Sequence, residues 1–366
     1  MPTKKSTPDF LLVVITLMLL AVGMIMVYSA SAAWATFKFE DSFFFAKRQL
    51  LFAGLGIIAM FLIMNIDYWT WRTWAKIVLI ICFGLLVLVL IPGVGLTRGG
   101  ATSWIGIGAF SIQPSEFMKL AMIAFLAKYL SENQKKITSF RKGLVPSLSL
   151  VFLAFGMIMI QPDLGTGTVM VGTCMVMIFV AGGRISHFVG LGLIGVAGFV
   201  ALILSAPYRI KRITSFLDPW QDPTDSGFQI IQSLYAIGPG GLLGLGLGKS
   251  RQKFFYLPEP QTDFIFAILA EELGFIGGSL VILLFALLLW RGVRIALGAP
   301  DLFGSFLAIG IISMIAIQVI INIGVVIGLM PVTGITLPFL SYGGSSLTLM
   351  LMAVGVLLNI SRYARL

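Results

Sequence analysis

The chain of 366 residues is 58% hydrophobic and only 11% charged, with 25 Lys and Arg against 15 Asp and Glu for a formal net charge of +10. A soluble domain carries about 25% charged residues, so this charge cannot dress a water-exposed surface, and a soluble enzyme, a disordered chain and a fibrous one are excluded. The basic balance would point a soluble chain toward nucleic acid. Here it reads as loop charge that orients membrane helices, and no nucleic-acid partner is expected.

Apolar runs of helical length recur at 10–28, 49–66, 77–91, 115–130, 144–160, 167–181, 188–206, 264–290, 302–330 and 345–360. They are apolar all round, unlike the alternating strands of a membrane barrel. The first run follows Lys4 and Lys5 and precedes Ser29-Ala30-Ser31-Ala32, as a secretory signal would. Its apolar core is longer than the ~7–15 residues of such signals, so a retained helix is expected. Ten spans place both ends on one side. With the N-terminus inside, most Lys and Arg fall in cytoplasmic loops, and the short outer loops hold only Lys38, Lys47, Arg48 and Arg98.

The expected fold class is therefore all-α: one polytopic transmembrane domain over residues 1–366, with about ten helices and both termini cytoplasmic. Between the seventh and eighth runs lies one long extracellular loop, about 207–262, with a weakly amphipathic stretch at 228–236. Loops beyond ~12–15 residues are usually functional or disordered. Its aromatics, Tyr208, Phe216, Trp220, Phe228 and Tyr235, argue for packing. The run Gly244-Leu245-Gly246-Leu247-Gly248-Lys249-Ser250 mimics a phosphate loop, but the position that needs the first glycine is Leu243. A glycine-rich turn is the better reading. Cys82 and Cys174 sit within apolar runs and read as small buried hydrophobes, and the lone His187 excludes a His-based metal centre.

Charges inside or at the rim of spans cost roughly 2.5–3.5 kcal/mol each, so their positions carry information. Glu116 and Lys119 share a face of the fourth run, either as a structural ion pair or as part of a polar cavity, and the cavity is favoured. Glu271 and Glu272 lie mid-run with no cation nearby in sequence, and structural bonding and a direct role weigh equally. Gln318 and Asn322 read as interhelical glue. The strongest candidate is Asp263, where the long loop re-enters the membrane in the first turn of the eighth run. A helix dipole there keeps it ionised and able to accept a proton beside Arg251 and Lys253. A plain N-cap role is as compatible with the spacing.

Ordered motifs then carry a resemblance over essentially the whole chain. They are Lys47-Arg48-Gln49, Ser103-Trp104-Ile105, Gln113-Pro114-Ser115-Glu116 with Lys119, and Gln161-Pro162-Asp163-Leu164-Gly165. Further on come Ser226-Gly227-Phe228-Gln229, Pro258-Glu259-Pro260-Gln261-Thr262-Asp263-Phe264, Gly334-Ile335-Thr336-Leu337-Pro338 and Ser341-Tyr342-Gly343-Gly344. The sequence resembles the shape, elongation, division and sporulation (SEDS) family of FtsW, RodA and SpoVE proteins, and within it the sporulation members. The resemblance implies a peptidoglycan glycosyltransferase of the bacterial cytoplasmic membrane, polymerising lipid II on the outer face for spore cortex or septal wall. It implies a class B penicillin-binding protein as transpeptidase partner, with membrane lipids around both. The family's essential acid falls on Asp263.

Arg48, Lys119, Arg209, Lys211 and Arg212 are then the expected cations for a diphosphate leaving group, with Glu116 holding Lys119. Asp163, Gln261 and Ser341 join the expected substrate-binding set from the same motifs. Trp104 fits a saccharide path or an interfacial anchor equally well. No cofactor is expected with certainty; a divalent cation, Mg or Mn, bridging diphosphate and Asp263 is the one compatible with the chemistry. Two other readings stay open at this point: a non-enzymatic lipid II flippase, and a scaffold that recruits the transpeptidase.

Overall fold

The computed structural model describes residues 6–98, 101–107, 110–204, 216–223, 227–254 and 256–365. The helices are α1 (Phe10–Phe39), α2 (Phe44–Asn65), α3 (Trp69–Val89), α4 (Pro114–Asn133), α5 (Val145–Ile160), α6 (Leu164–Val180) and α7 (Ile185–Leu204). They continue with α8 (Phe228–Gly240), α9 (Ile265–Gly298), α10 (Leu302–Val326) and α11 (Gly344–Ser361). Each expected apolar run corresponds to one helix, and the amphipathic stretch of the long loop is α8. Among the described residues, 7 helices are long and apolar enough to cross a membrane by length and composition alone. The 17-residue α6 is shorter, and α4 carries Glu116 and Lys119 in its first turns.

One addition is a small antiparallel sheet between α3 and α4: β1 (Leu96–Arg98), β2 (Ala101–Ile107) and β3 (Phe110–Ile112), in the order β1-β2-β3. It delivers the chain to Gln113 and to Pro114, which opens α4. Proline is tolerated there because the first helical N–H groups have no intrahelical partner.

α1 is a single 30-residue helix that buries Ser29, Ala30 and Ser31, so the segment resembling a cleavage site lies within a packed helix. Its N-cap, Asp9, accepts from Leu12 N at 3.0 Å and pairs with Arg291 at the far end of α9, Nε to Oδ2 2.5 Å. Ser6 N donates to Arg362 O at 2.8 Å, so both chain ends meet at one end of the bundle, as an even number of crossings requires.

Helix α9 is interrupted. Gly274 has φ 67° and ψ −165°, a conformation that only glycine adopts readily. The outer-loop glycine run fills the break. Leu245 N and Gly246 N donate to Glu271 O and Glu272 O at 2.9 and 3.0 Å, while Phe275 N and Ile276 N donate to Gly241 O and Leu242 O at 2.8 and 3.1 Å. Broken backbone at membrane depth is tolerated only where protein satisfies it in this way. The run that mimics a phosphate loop is thus a splice, with positive φ at Gly244, Gly246 and Gly248.

Candidate active site

A cavity of about 1160 Å³ opens at the end of the bundle opposite the paired termini. Its walls are the last turn of α1, the starts of α2, α4 and α6, the segment before α9, and residues 332–336. Asp263 stands on this wall, in the loop before α9. Its backbone is fixed from α10: Asn322 Nδ2 donates to Asp263 O at 2.8 Å and to Ile335 O at 2.7 Å. A second staple comes from Ser341, whose Oγ donates to Thr262 O at 2.6 Å and accepts from Leu337 N at 2.8 Å. Tyr342 N donates to Gln261 O at 2.8 Å.

The Asp263 carboxylate accepts no hydrogen bond from the described residues. Opposite it, Gly334 leaves room; a Cβ there would lie 3.7 Å from Asp263 Oδ2. The expected helix-dipole protection is corrected here. Asp263 precedes α9, whose N-cap is Phe264, and no side chain caps the helix. Burial, with the Glu259 carboxylate adding to it, pushes the Asp263 pKa from 3.8 up to about 7. The plain N-cap role fails for the same reason.

Glu116 and Lys119 form the expected ion pair, Nζ to Oε1 2.8 Å, with side chains only 6% and 1% exposed. Glu116 lines the cavity and Lys119 lies behind it. Asp163 ties two elements together. It caps α6 through Thr166 N at 3.1 Å, and its Oδ2 accepts from Gln113 Nε2 at 2.8 Å and Ser115 Oγ at 3.0 Å. Its carboxylate, though on the cavity wall, is therefore largely engaged by protein. Gln261 also lines the cavity, and so does Trp104 from β2. Ser341 is buried and lies outside the lining, holding the Asp263 segment from behind.

Arg48 lines the cavity with its guanidinium on the Phe44 ring, 4.3 Å from the centroid. Arg209, Lys211 and Arg212 lie outside the described residues. The expectation that Lys253 assists Asp263 is overturned. Lys253 is buried away from the cavity and paired with Glu272, Nζ to Oε1 3.0 Å. Among the described residues no cluster of three metal-binding side chains occurs. Of the four carboxylates that line the cavity, Glu116 is paired with Lys119 and Asp163 is engaged by Gln113, Ser115 and Thr166, which leaves Asp263 and Glu259, a thin donor set. It suits a hard divalent cation only if diphosphate and water complete its shell.

The family model described as cell cycle protein, FTSW/RODA/SPOVE, matches residues 10–366. The chain belongs to the FtsW, RodA and SpoVE family. It is 80% identical to stage V sporulation protein E of Bacillus subtilis (strain 168) over 365 residues, covering 100% of both chains. It is 46% identical to the probable peptidoglycan glycosyltransferase FtsW of Geobacter sp. (strain M18), covering 98% of this chain and 97% of that one. Among solved structures, a chain of a peptidoglycan synthase complex that coordinates polymerization and crosslinking superposes with a TM-score of 0.82 at 33% identity, over 97% of this chain and 98% of that chain. The rod shape determining protein RodA of Thermus thermophilus superposes at 0.71 and 30% identity, over 97% of each. This is a multi-pass membrane protein of that fold.

Sequence reasoning missed two residues of the cavity lining, Gln318 and Lys38. Asn322 is the glue its position implies, tying α10 to the backbones of Asp263 and Ile335, two residues of the lining. Gln318, one turn earlier, lines the cavity itself. Lys38 counted only as a loop charge and also lines it. For Gln318 the signal was present: with Asn322 it makes a polar pair four apart in an otherwise apolar helix.

Proposed function

We propose that this chain is a peptidoglycan glycosyltransferase that polymerises lipid II on the outer face of the bacterial cytoplasmic membrane, alongside a class B penicillin-binding protein. Spore cortex is the product that fits its likeness to the sporulation relative. The carrying observation is Asp263: a carboxylate that accepts no hydrogen bond from the described residues, with a pKa near neutrality, on a large cavity that also holds cations. The orientation follows from charge. The paired termini lie at the end richest in Lys and Arg, the cytoplasmic one, so the cavity at the other end faces outward.

In the reaction, the GlcNAc 4-hydroxyl of an acceptor lipid II attacks the anomeric carbon of a donor MurNAc. The hydroxyl proton passes to Asp263 as the new C–O bond forms. The bond from the anomeric carbon to the diphosphate oxygen breaks with inversion, and undecaprenyl diphosphate leaves. A base near pH 7 is matched to that proton transfer. Diphosphate is a good leaving group that needs charge neutralisation more than a strong acid. Arg48 supplies it from the cavity wall, with Arg209, Lys211 and Arg212 as further cations of the outer loop. Glu116 orients Lys119 behind the wall, Trp104 and Gln261 flank the saccharide path, and Asp163 braces the starts of α4 and α6. A divalent cation, when bound, would be held by Asp263 and Glu259 and would add charge neutralisation at the diphosphate.

The test mixes purified protein, its cognate transpeptidase and labelled lipid II and resolves glycan polymer on a gel. Wild type makes polymer, and Asp263→Ala makes none. Equal polymer from Asp263→Ala would sink the mechanism.

A further inference from the structure

We propose that Lys38, at the outer end of α1, anchors a second lipid-linked diphosphate, so that Lys38 and Arg48 hold the diphosphates of acceptor and donor apart. This rests on the polymerase reading above and names where its two substrates divide.

Both cations line the one cavity. Lys38 Nζ lies 4.4 Å from the centroid of Trp34 and 5.7 Å from that of Phe39. Arg48 Cζ lies 4.3 Å from the centroid of Phe44. Phe39 and Phe44 are themselves stacked, 3.8 Å between centroids with their planes 10° apart. That spacing leaves no room between the rings: Arg48 rests on the Phe44 ring of the stack, while Lys38 rests chiefly on Trp34, beside Phe39. Neither has a carboxylate within ion-pair distance among the described residues. A cation resting on a ring face keeps its remaining donors directed away from the ring. Two such groups on different aromatic rings of one cavity, neither of them paired with the acids Glu116, Asp163, Glu259 and Asp263 of the same lining, form two separate points of anion attraction.

The chemistry calls for two such points. The donor carries its diphosphate directly on the anomeric carbon that reacts, so that diphosphate sits next to the reacting carbon, on the face opposite the hydroxyl that Asp263 deprotonates. The acceptor's reacting hydroxyl is a disaccharide away from its own diphosphate, which must therefore sit farther off. The helix turn that carries Arg48 is tied to the Asp263 segment. The neighbouring Gln49 donates through Nε2 to Ser341 O at 3.1 Å, and Ser341 Oγ donates to Thr262 O at 2.6 Å. Lys38, in the last turn of α1, is the more exposed of the two and stands at the rim. Arg48 takes the donor diphosphate and Lys38 the acceptor's.

The shared chemistry, a phosphate-bearing lipid head, also fits an anionic phospholipid, and the experiment separates the two. Polymerisation is measured against lipid II concentration in phosphatidylcholine nanodiscs with and without phosphatidylglycerol. A charge-assisted contact to diphosphate sets the scale, so Lys38→Met is expected to raise the half-saturating lipid II concentration roughly tenfold. The saturated rate falls less, Lys38→Arg stays near wild type, and all this holds in phosphatidylcholine alone. In parallel, native mass spectrometry of the Asp263→Asn protein with undecaprenyl diphosphate as probe should count two bound copies, and one when Lys38→Met is added. A Lys38→Met curve that overlays wild type, or an effect that vanishes without phosphatidylglycerol, overturns the proposal. Absence of polymer from wild type with its partner would overturn the polymerase reading instead, and the count of bound diphosphates would still decide the two-point site.

Discussion

At the scale of single residues, the cavity is organised around one acid that holds its proton more tightly than an ordinary carboxyl does. Asp263 titrates at about 7, because burial and the neighbouring Glu259 disfavour its ionised form. Below that pH the proton stays on and the base is lost; above it the base is present. The rate at sub-saturating lipid II is therefore expected to climb with unit slope up to about pH 7 and to level off beyond it. Glu259→Gln removes the second cause and should move the midpoint down. A wild-type profile flat from about pH 5.5 to pH 8 would show that proton transfer to Asp263 does not limit the rate. The same shift has a sign for stability. A carboxyl whose folded pKa is raised favours the fold only while protonated, so it costs stability as pH rises from about 4 to about 7. Asp263→Asn should consequently melt above wild type in detergent, by a margin that grows across that window and is constant above it. Asp263 itself was legible in the sequence as an acid where an outer loop meets an apolar run, and the motif around it pointed the same way. Its pKa was not, because a dipole argument assumes a residue inside the helix, and Asp263 stops short of Ile265.

At the scale of elements, apolar runs translate into helices because a membrane leaves backbone groups no other partner. That is why every expected span has a counterpart. The features that escaped are those where the backbone departs from the helix. The β1–β3 sheet lies in a glycine-rich stretch with no sustained alternation, and the break in α9 is hidden inside a sequence that is apolar on both sides of Gly274. The break matters because it separates the short helix after Asp263 from the long remainder of α9. Gly274 combines a positive φ with contact: an added Cβ would lie 2.3 Å from Gly244 N and 2.6 Å from Leu242 O. Gly274→Ala must adopt a glycine-only conformation or expel the loop, at a cost of about 1–3 kcal/mol. Hydrogen exchange should then rise in 241–246 and in 265–273 together, while α10 and α11 stay protected. Faster exchange spread evenly over the whole bundle would argue that the splice is not a local unit.

At the scale of the molecule, the outer loop is locked to the bundle by buried acids outside the cavity lining. Glu271 and Glu272 are fully buried. Glu271 accepts from Ser250 Oγ at 2.5 Å and Arg251 N at 2.8 Å. Glu272 accepts from Ser29 Oγ of α1 at 2.7 Å, Ser250 N at 3.2 Å and Lys253 Nζ at 3.0 Å. One carboxylate thus joins α1, the loop and α9, and the loop leads directly into the Asp263 wall. The sequence left these acids between structure and chemistry because their cation is nineteen positions away along a loop, a pairing that only the fold creates. Breaking one side of a buried pair leaves the other charge uncompensated, at about 3–5 kcal/mol, whereas removing both is far cheaper. Glu272→Gln and Lys253→Met should each lower the melting temperature in detergent strongly, and the double variant should lose much less than the sum of the two. Polymerisation should follow the same order, lowest in the single variants and partly recovered in the double, because the Asp263 wall inherits the position of the loop. If the two losses simply add, the pair is not coupled, and the loop is held by its backbone splice to Glu271 and Glu272 alone.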